Sequence, residues 1–150
     1  MESSFVKIDG LKSALILGTG GASKAINFVL EKLAYRTRFI SRKAKFIQYE
    51  QVDKRLIDSV SIIVNTTPLG TYPDVNYCPN IPYKFLTKKH LVYDLIYNPK
   101  KTLFLKKSEA QGATIINGLR MLEIQAESSW NLWTSDSENS FEFILSLIHI

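Results

Sequence analysis

The sequence predicts an α/β fold, a doubly wound parallel sheet in three layers, and three observations carry that prediction. Short apolar runs alternate with helical stripes along the chain. A glycine-rich turn joins the first run to the first stripe. Later runs stop abruptly at Pro- or Gly-containing segments, Asn65–Gly70 and Asn98–Pro99.

Ala14–Leu17 reads as a short buried strand, and Gly18-Thr19-Gly20-Gly21-Ala22 follows at once. Beyond it, Ala22, Ala25, Ile26, Val29, Leu30 and Leu33 recur at spacings of three, four and seven, one apolar stripe on a helix of roughly three turns. In this strand–turn–helix context a Gly-x-Gly-x-x pattern points to nucleotide binding. Gly18 permits the tight turn, and Gly20 lacks the Cβ that would hold a diphosphate off the backbone. The N–H groups of Gly21, Ala22 and Ser23, at the positive end of the helix, can hold phosphate oxygens. Ser23, where the general pattern has a third glycine, is still small enough for helix and strand to approach. The competing reading is a turn that binds nothing.

Arg38–Ile40 reads as the second strand, leading into Ser41-Arg42-Lys43-Ala44-Lys45. An NAD site carries an acid here, about 20 residues on, for the ribose 2′-hydroxyl. No acid appears before Glu50. Arg42 instead offers a planar fork of donors to a 2′-phosphate, and Lys43 or Lys45 a point charge, which favours NADP over NAD. A merely solvated basic turn is the alternative.

A helix is expected over Gln51–Val60, with Val52, Leu56, Ile57 and Val60 on one side. Ser61–Asn65 is a third strand, and Thr66, Thr67 and Pro68 stand at its carboxyl end, the edge that faces the ligand crevice in parallel sheets. Tyr72–Pro82 is a loop. Leu91–Tyr97 is the next strand, Thr102 caps a helix through Ala110 that stops at Gly112, and Thr114–Ile116 is a last short strand. From Leu119 a helix is expected to about Trp133, packing Leu119, Leu122, Ala126, Trp130 and Trp133.

A chain of 150 residues fits one domain, and 45% apolar with 22% charged content places it among soluble globular proteins. The net charge of +5 is spread in short groups, so a solvated surface with a pocket for one anionic ligand is expected rather than a nucleic-acid interface. One cysteine, Cys78, precludes an internal disulfide and favours a reducing compartment. His90 and His149 lack partners at metal-ligand spacing, so no metal site is expected. Met1–Ser4 lacks signal-peptide character, and no apolar run approaches the ~20 residues of a membrane span. The expected location is the cytoplasm, without membrane association.

Four motifs in order resemble the NADP-binding domain of the shikimate dehydrogenase family: Gly18–Ala22, Asn65–Gly70, Tyr93–Pro99 with Thr102 and Phe104-Leu105, and Asn117–Leu122 with Gln125-Ala126. The resemblance implies a Rossmann-like domain over residues 13–134, with 1–12 as a lead-in and 135–150 as a tail outside it. In that tail Ser135–Ser140 reads as a polar linker, and Leu145–Ile150 resembles a translated sequencing adapter more than a helix end. It implies an enzyme that reduces 3-dehydroshikimate to shikimate with NADPH in aromatic amino-acid (chorismate) biosynthesis. It assigns the diphosphate loop to Gly18, Thr19, Gly20, Gly21 and Ala22, and the 2′-phosphate to Ser41, Arg42 and Lys43. Thr66, Thr67 and Pro68 line the nicotinamide side, with the backbone of Leu95 and Gly118 beside it. Tyr97 and Gln125 reach the substrate, where a phenol and an amide suit the hydroxyls of a small polyol acid.

The sequence departs from the family at Thr71, usually methionine, at Phe46, often a second arginine, and beyond Thr134. The family's substrate domain, which carries a catalytic lysine and aspartate, has no counterpart in residues 1–12. The chain is therefore expected to be an inactive cofactor-binding half with no catalytic residue of its own. Lys7 and Asp9 match those residue types but no surrounding motif. A stand-alone NADP-binding or regulatory module and a quinate/shikimate dehydrogenase relative are the alternatives.

Overall fold

The computed structural model describes residues 12–119. Five parallel strands, β1 (Ser13–Leu17), β2 (Arg36–Ile40), β3 (Ile62–Asn65), β4 (Leu91–Asp94) and β5 (Thr114–Ile116), form one sheet in the order β2-β1-β3-β4-β5. Helix α1 (Gly21–Lys32) covers one face, and α2 (Lys54–Asp58) and α3 (Leu103–Ala110) the other. The expected three layers are present.

Period-two alternation explains the layering. Ala14, Ile16, Ile62 and Val64 point toward α1 and meet Ile26 and Leu30. Leu15, Leu17, Ile63 and Val92 point the other way, onto Ile57, Phe104 and Leu105. All four residues Ala14–Leu17 are fully buried, as a central parallel strand requires. Each large apolar side chain so buried contributes roughly 1.5–3 kcal/mol.

Several boundaries differ from the sequence reading. The buried row of α1 is Ser23, Ile26, Val29 and Leu30, while Ala22 and Ala25 are exposed. Ser23 takes the inward position because its hydroxyl is satisfied by the Gly20 carbonyl at 2.5 Å. β2 starts at Arg36, two residues early, because Ser13 and Ala14 of β1 pair with Arg36 and Thr37. The helix expected over Gln51–Val60 is instead a 3-10 turn, Tyr49–Gln51, followed by α2, because the Asp53 carboxylate accepts from the Leu56 amide and starts a fresh helix. β4 ends at Asp94, short of Tyr97. Thr102 does cap α3, accepting from the Leu105 amide. Of the helix expected from Leu119 to about Trp133, only Leu119 lies within the described residues.

The chain leaves β1 toward β2 on one side and returns to β3 on the other. The carboxyl ends of β1 and β3 therefore flank a topological switch point, where open α/β sheets form their ligand crevice.

Candidate functional site

At the switch point the glycine turn is held by three strands. Gly18 adopts φ +107°, and its amide donates to the Ile40 carbonyl at the end of β2 (2.9 Å). Thr66, just past β3, donates its amide (2.9 Å) and its hydroxyl (2.6 Å) to the Leu17 carbonyl. A Cβ on Gly18 would lie 2.6 Å from Thr66 Oγ1, so the conformation and the space both require glycine. Gly20 and Gly21 differ: a Cβ on either would meet nothing within 4 Å. Their faces open onto the crevice.

Helix α1 begins at this opening with no side-chain cap and no acid in its first turn. Among the described residues, no main-chain acceptor meets the amides of Gly21, Ala22 and Ser23. Three donors and the uncompensated positive end of a twelve-residue helix thus face the same space. Such an end suits phosphate, and the residues fit a dinucleotide's diphosphate.

The segment after β2 folds back beside it. Ile40 and Ile47 form a parallel bridge, and the Ser41 amide donates to the Ile47 carbonyl (2.9 Å). Ser41 is buried, and its hydroxyl oxygen accepts from the Lys43 amide (3.2 Å). Gln48 donates to the Arg42 carbonyl (3.3 Å). This closes a loop from which Arg42, Lys43 and Lys45 project into solvent. Lys45 lies over the Phe46 ring, 5.2 Å from its centre, and Phe46 packs against Phe39. Arg42 and Lys43 form no ion pair with any described residue. The Arg42 charge also partly offsets the burial that raises the Tyr49 phenol. The Gly18 amide is tied to the Ile40 carbonyl, and this pair of cations follows Ile40 by two and three residues.

The opposite wall comes from β3, β4 and β5. Thr66, Thr67 and Pro68 follow β3; Leu95 and Tyr97 follow β4, with Tyr97 exposed. Gly118 is buried on this segment: its amide donates to the Ile96 carbonyl (3.1 Å), and a Cβ on it would lie 1.9 Å from the Leu95 carbonyl oxygen. The structure thus brings Leu95 and Gly118 together. Gln125 lies outside the described residues.

The sequence reading gave no role to Asp94, the fully buried last residue of β4. Its Oδ1 accepts from Asn65 Nδ2 (3.1 Å) and the Ile96 amide (3.1 Å), and its Oδ2 from the Thr102 hydroxyl (2.6 Å). Burial pushes the carboxyl up from 3.8 to about 6, against hydrogen bonds from Thr102, Ile96 and Asn65 that lower it. The signal available in the sequence was an acid inside the apolar run Leu91–Tyr97. His90 has a structural role far from this mouth: its ring bonds the Thr87 amide and the Ile57 carbonyl. Cys78 packs against the core from its loop. No helix among the described residues is long and apolar enough to cross a membrane.

Fold and mouth together define a Rossmann-like domain of the dinucleotide-binding type. No protein-family model matches the chain. It is, however, homologous to enzymes named shikimate dehydrogenase (NADP(+)), a match consistent with their carboxyl-terminal NADP-binding domain. That of Methanococcus maripaludis is 38% identical over 91% of this chain and 55% of its own length. A crystal structure of shikimate dehydrogenase in complex with NADP+ is 30% identical, with a TM-score of 0.68, over 91% of this chain and 53% of that one. The Thermus thermophilus shikimate 5-dehydrogenase, solved with NADP(H) and shikimate, is 26% identical with a TM-score of 0.69, over 91% and 55%. The chain spans about half the length of the curated relatives it matches.

Proposed function

We propose that this chain is the cofactor-binding half of an NADP-dependent shikimate dehydrogenase, organised as a domain over residues 13–134 with 1–12 and 135–150 outside it. The observation that carries the reading is the open, uncapped start of α1 beside two unpaired-in-charge side chains, Arg42 and Lys43, among the described residues. The amides of Gly21, Ala22 and Ser23 bind the diphosphate, with Gly18, Thr19 and Gly20 shaping the turn. The Arg42 guanidinium takes the 2′-phosphate in a forked pair of hydrogen bonds, supported by Lys43 and Ser41. Thr66, Thr67, Pro68 and the backbones of Leu95 and Gly118 orient the nicotinamide.

When bound, NADPH supplies a hydride to a carbonyl carbon. Tyr97 and Gln125 hold hydroxyls of shikimate or 3-dehydroshikimate. The proton for the carbonyl oxygen comes from a lysine–aspartate pair of the family's substrate domain, outside residues 13–134. A cytoplasmic location, without nucleic-acid or membrane partners, accompanies this reading.

Isothermal titration with NADP+ and NAD+ tests it. Charge-assisted hydrogen bonds are worth about 1.5–3 kcal/mol, so a preference for NADP+ of at least about tenfold is expected. Equal affinities would overturn the assignment.

A further inference from the structure

The two walls of the nicotinamide side are joined by one buried chain of hydrogen bonds, and its donor directions are fixed. The Thr67 amide can only donate, and it meets Asn65 Oδ1 (3.0 Å), as does the Thr67 hydroxyl (2.6 Å). The amide group of Asn65 is therefore oriented with Nδ2 toward Asp94 Oδ1, which must accept. Asp94 Oδ1 also accepts from the Ile96 amide. Asp94 Oδ2 accepts from Thr102, whose own oxygen accepts from Leu105. Three donors converge on one carboxylate, from β3, from the segment after β4 and from the start of α3.

We propose that Asp94 is a positioning residue for the nicotinamide half of the site: through Asn65 it fixes the Thr66–Pro68 wall, and through the Ile96 amide the Leu95–Tyr97 wall. The inference rests on the cofactor reading above and deepens it. Both wall bonds end on Oδ1, which accepts from Asn65 and from the Ile96 amide at once. Removing the carboxyl leaves both of these buried donors unmet, so the walls loosen. The phenols of Tyr93, its neighbour on the strand, and of Tyr83, in the 3-10 turn Tyr83–Phe85, are both raised by burial, and the Asp94 charge adds to each shift. Among the described residues no cation pairs with it.

The test uses the full chain and two probes, NADP+ and adenosine 2′,5′-bisphosphate, which carries the adenosine half alone. Both are measured at one pH, about 7.5, where their phosphates are largely ionised. In Asp94→Ala the ratio of the NADP+ affinity to the bisphosphate affinity is expected to fall about tenfold, with the bisphosphate bound within about twofold of the unsubstituted chain. In Asp94→Asn, whose amide oxygen can still accept from Asn65 and Ile96, the ratio is expected to stay within about twofold of the unsubstituted chain. An alanine variant matching the parent would overturn the proposal, as would an Asn variant that falls as far as the alanine. If Asp94→Ala fails to fold, Asn65→Ser, which cuts the same chain of bonds one link away, carries the same expected fall and the same refutation. Failure of the parent to bind the bisphosphate would instead overturn the cofactor reading itself.

Discussion

Replacing Gly18 by alanine strikes the turn in two separable ways. At φ +107° an L side chain is strained, by roughly 1–3 kcal/mol. The new methyl would also lie 2.6 Å from Thr66 Oγ1 and 3.1 Å from Thr67 Cγ2, a clash of the size that costs typically 1–3 kcal/mol in a packed site. The sum, about 2–6 kcal/mol, is a large part of the 5–15 kcal/mol that holds a domain folded. Urea denaturation of Gly18→Ala measures it directly. A second substitution separates the parts. Thr66→Ala alone removes the hydroxyl bonded to Leu17 and costs about 1 kcal/mol. In the Gly18→Ala background it removes the clashing atom and is expected to be neutral or stabilising, leaving mainly the strain. Strict additivity of the two substitutions would refute the close approach of turn and β3.

Three further outcomes are expected. Arg42→Ala should weaken NADP+ by about 10–150-fold and leave NAD+ within about twofold, read by titration calorimetry. Gly118→Ala should lower stability by at least about 1–3 kcal/mol in thermal or urea unfolding, because its methyl would meet the Leu95 carbonyl at 1.9 Å; an unchanged midpoint would contradict the packing. For Asp94, the folded value of about 6 lies above the ordinary 3.8, so the native state binds the extra proton between them. Stability is then greatest below that window and falls as pH rises through it, by about 3 kcal/mol relative to Asp94→Asn. Parallel stability–pH curves for the two chains would count against the burial of this carboxyl.

The glycine turn and the first helix were legible because every cue is local: an apolar run, glycines, then a 3.6-residue stripe. The loop after β2 was equally readable, since the lack of an acid before Glu50 is a property of sequence alone. Elsewhere tertiary partners decided. Val52 packs in the core from outside any helix, so an apolar stripe that is real spans two separate elements. Arg36 and Thr37 form strand because β1 pairs with them, although neither gives an apolar signal at this sheet edge. Leu95–Tyr97 looks like strand, but after the Leu95 amide, which still meets the Asn65 carbonyl of β3, the Ile96 amide turns to the Asp94 carboxylate. The role of Asp94 depends on Asn65, 29 residues away, and Thr102, eight away. No window of sequence joins those three. The contact of Leu95 with Gly118 joins two segments 23 residues apart, and no periodicity shows it.

Amide resonances of the ¹⁵N-labelled chain, followed through titration with NADP+ and then NAD+, test the central claim most directly. The account predicts that Gly21, Ala22 and Ser23 shift with both dinucleotides, while Ser41, Arg42 and Lys43 shift strongly with NADP+ alone. Shifts confined to other residues, or identical responses of the 41–43 segment to both ligands, would contradict it.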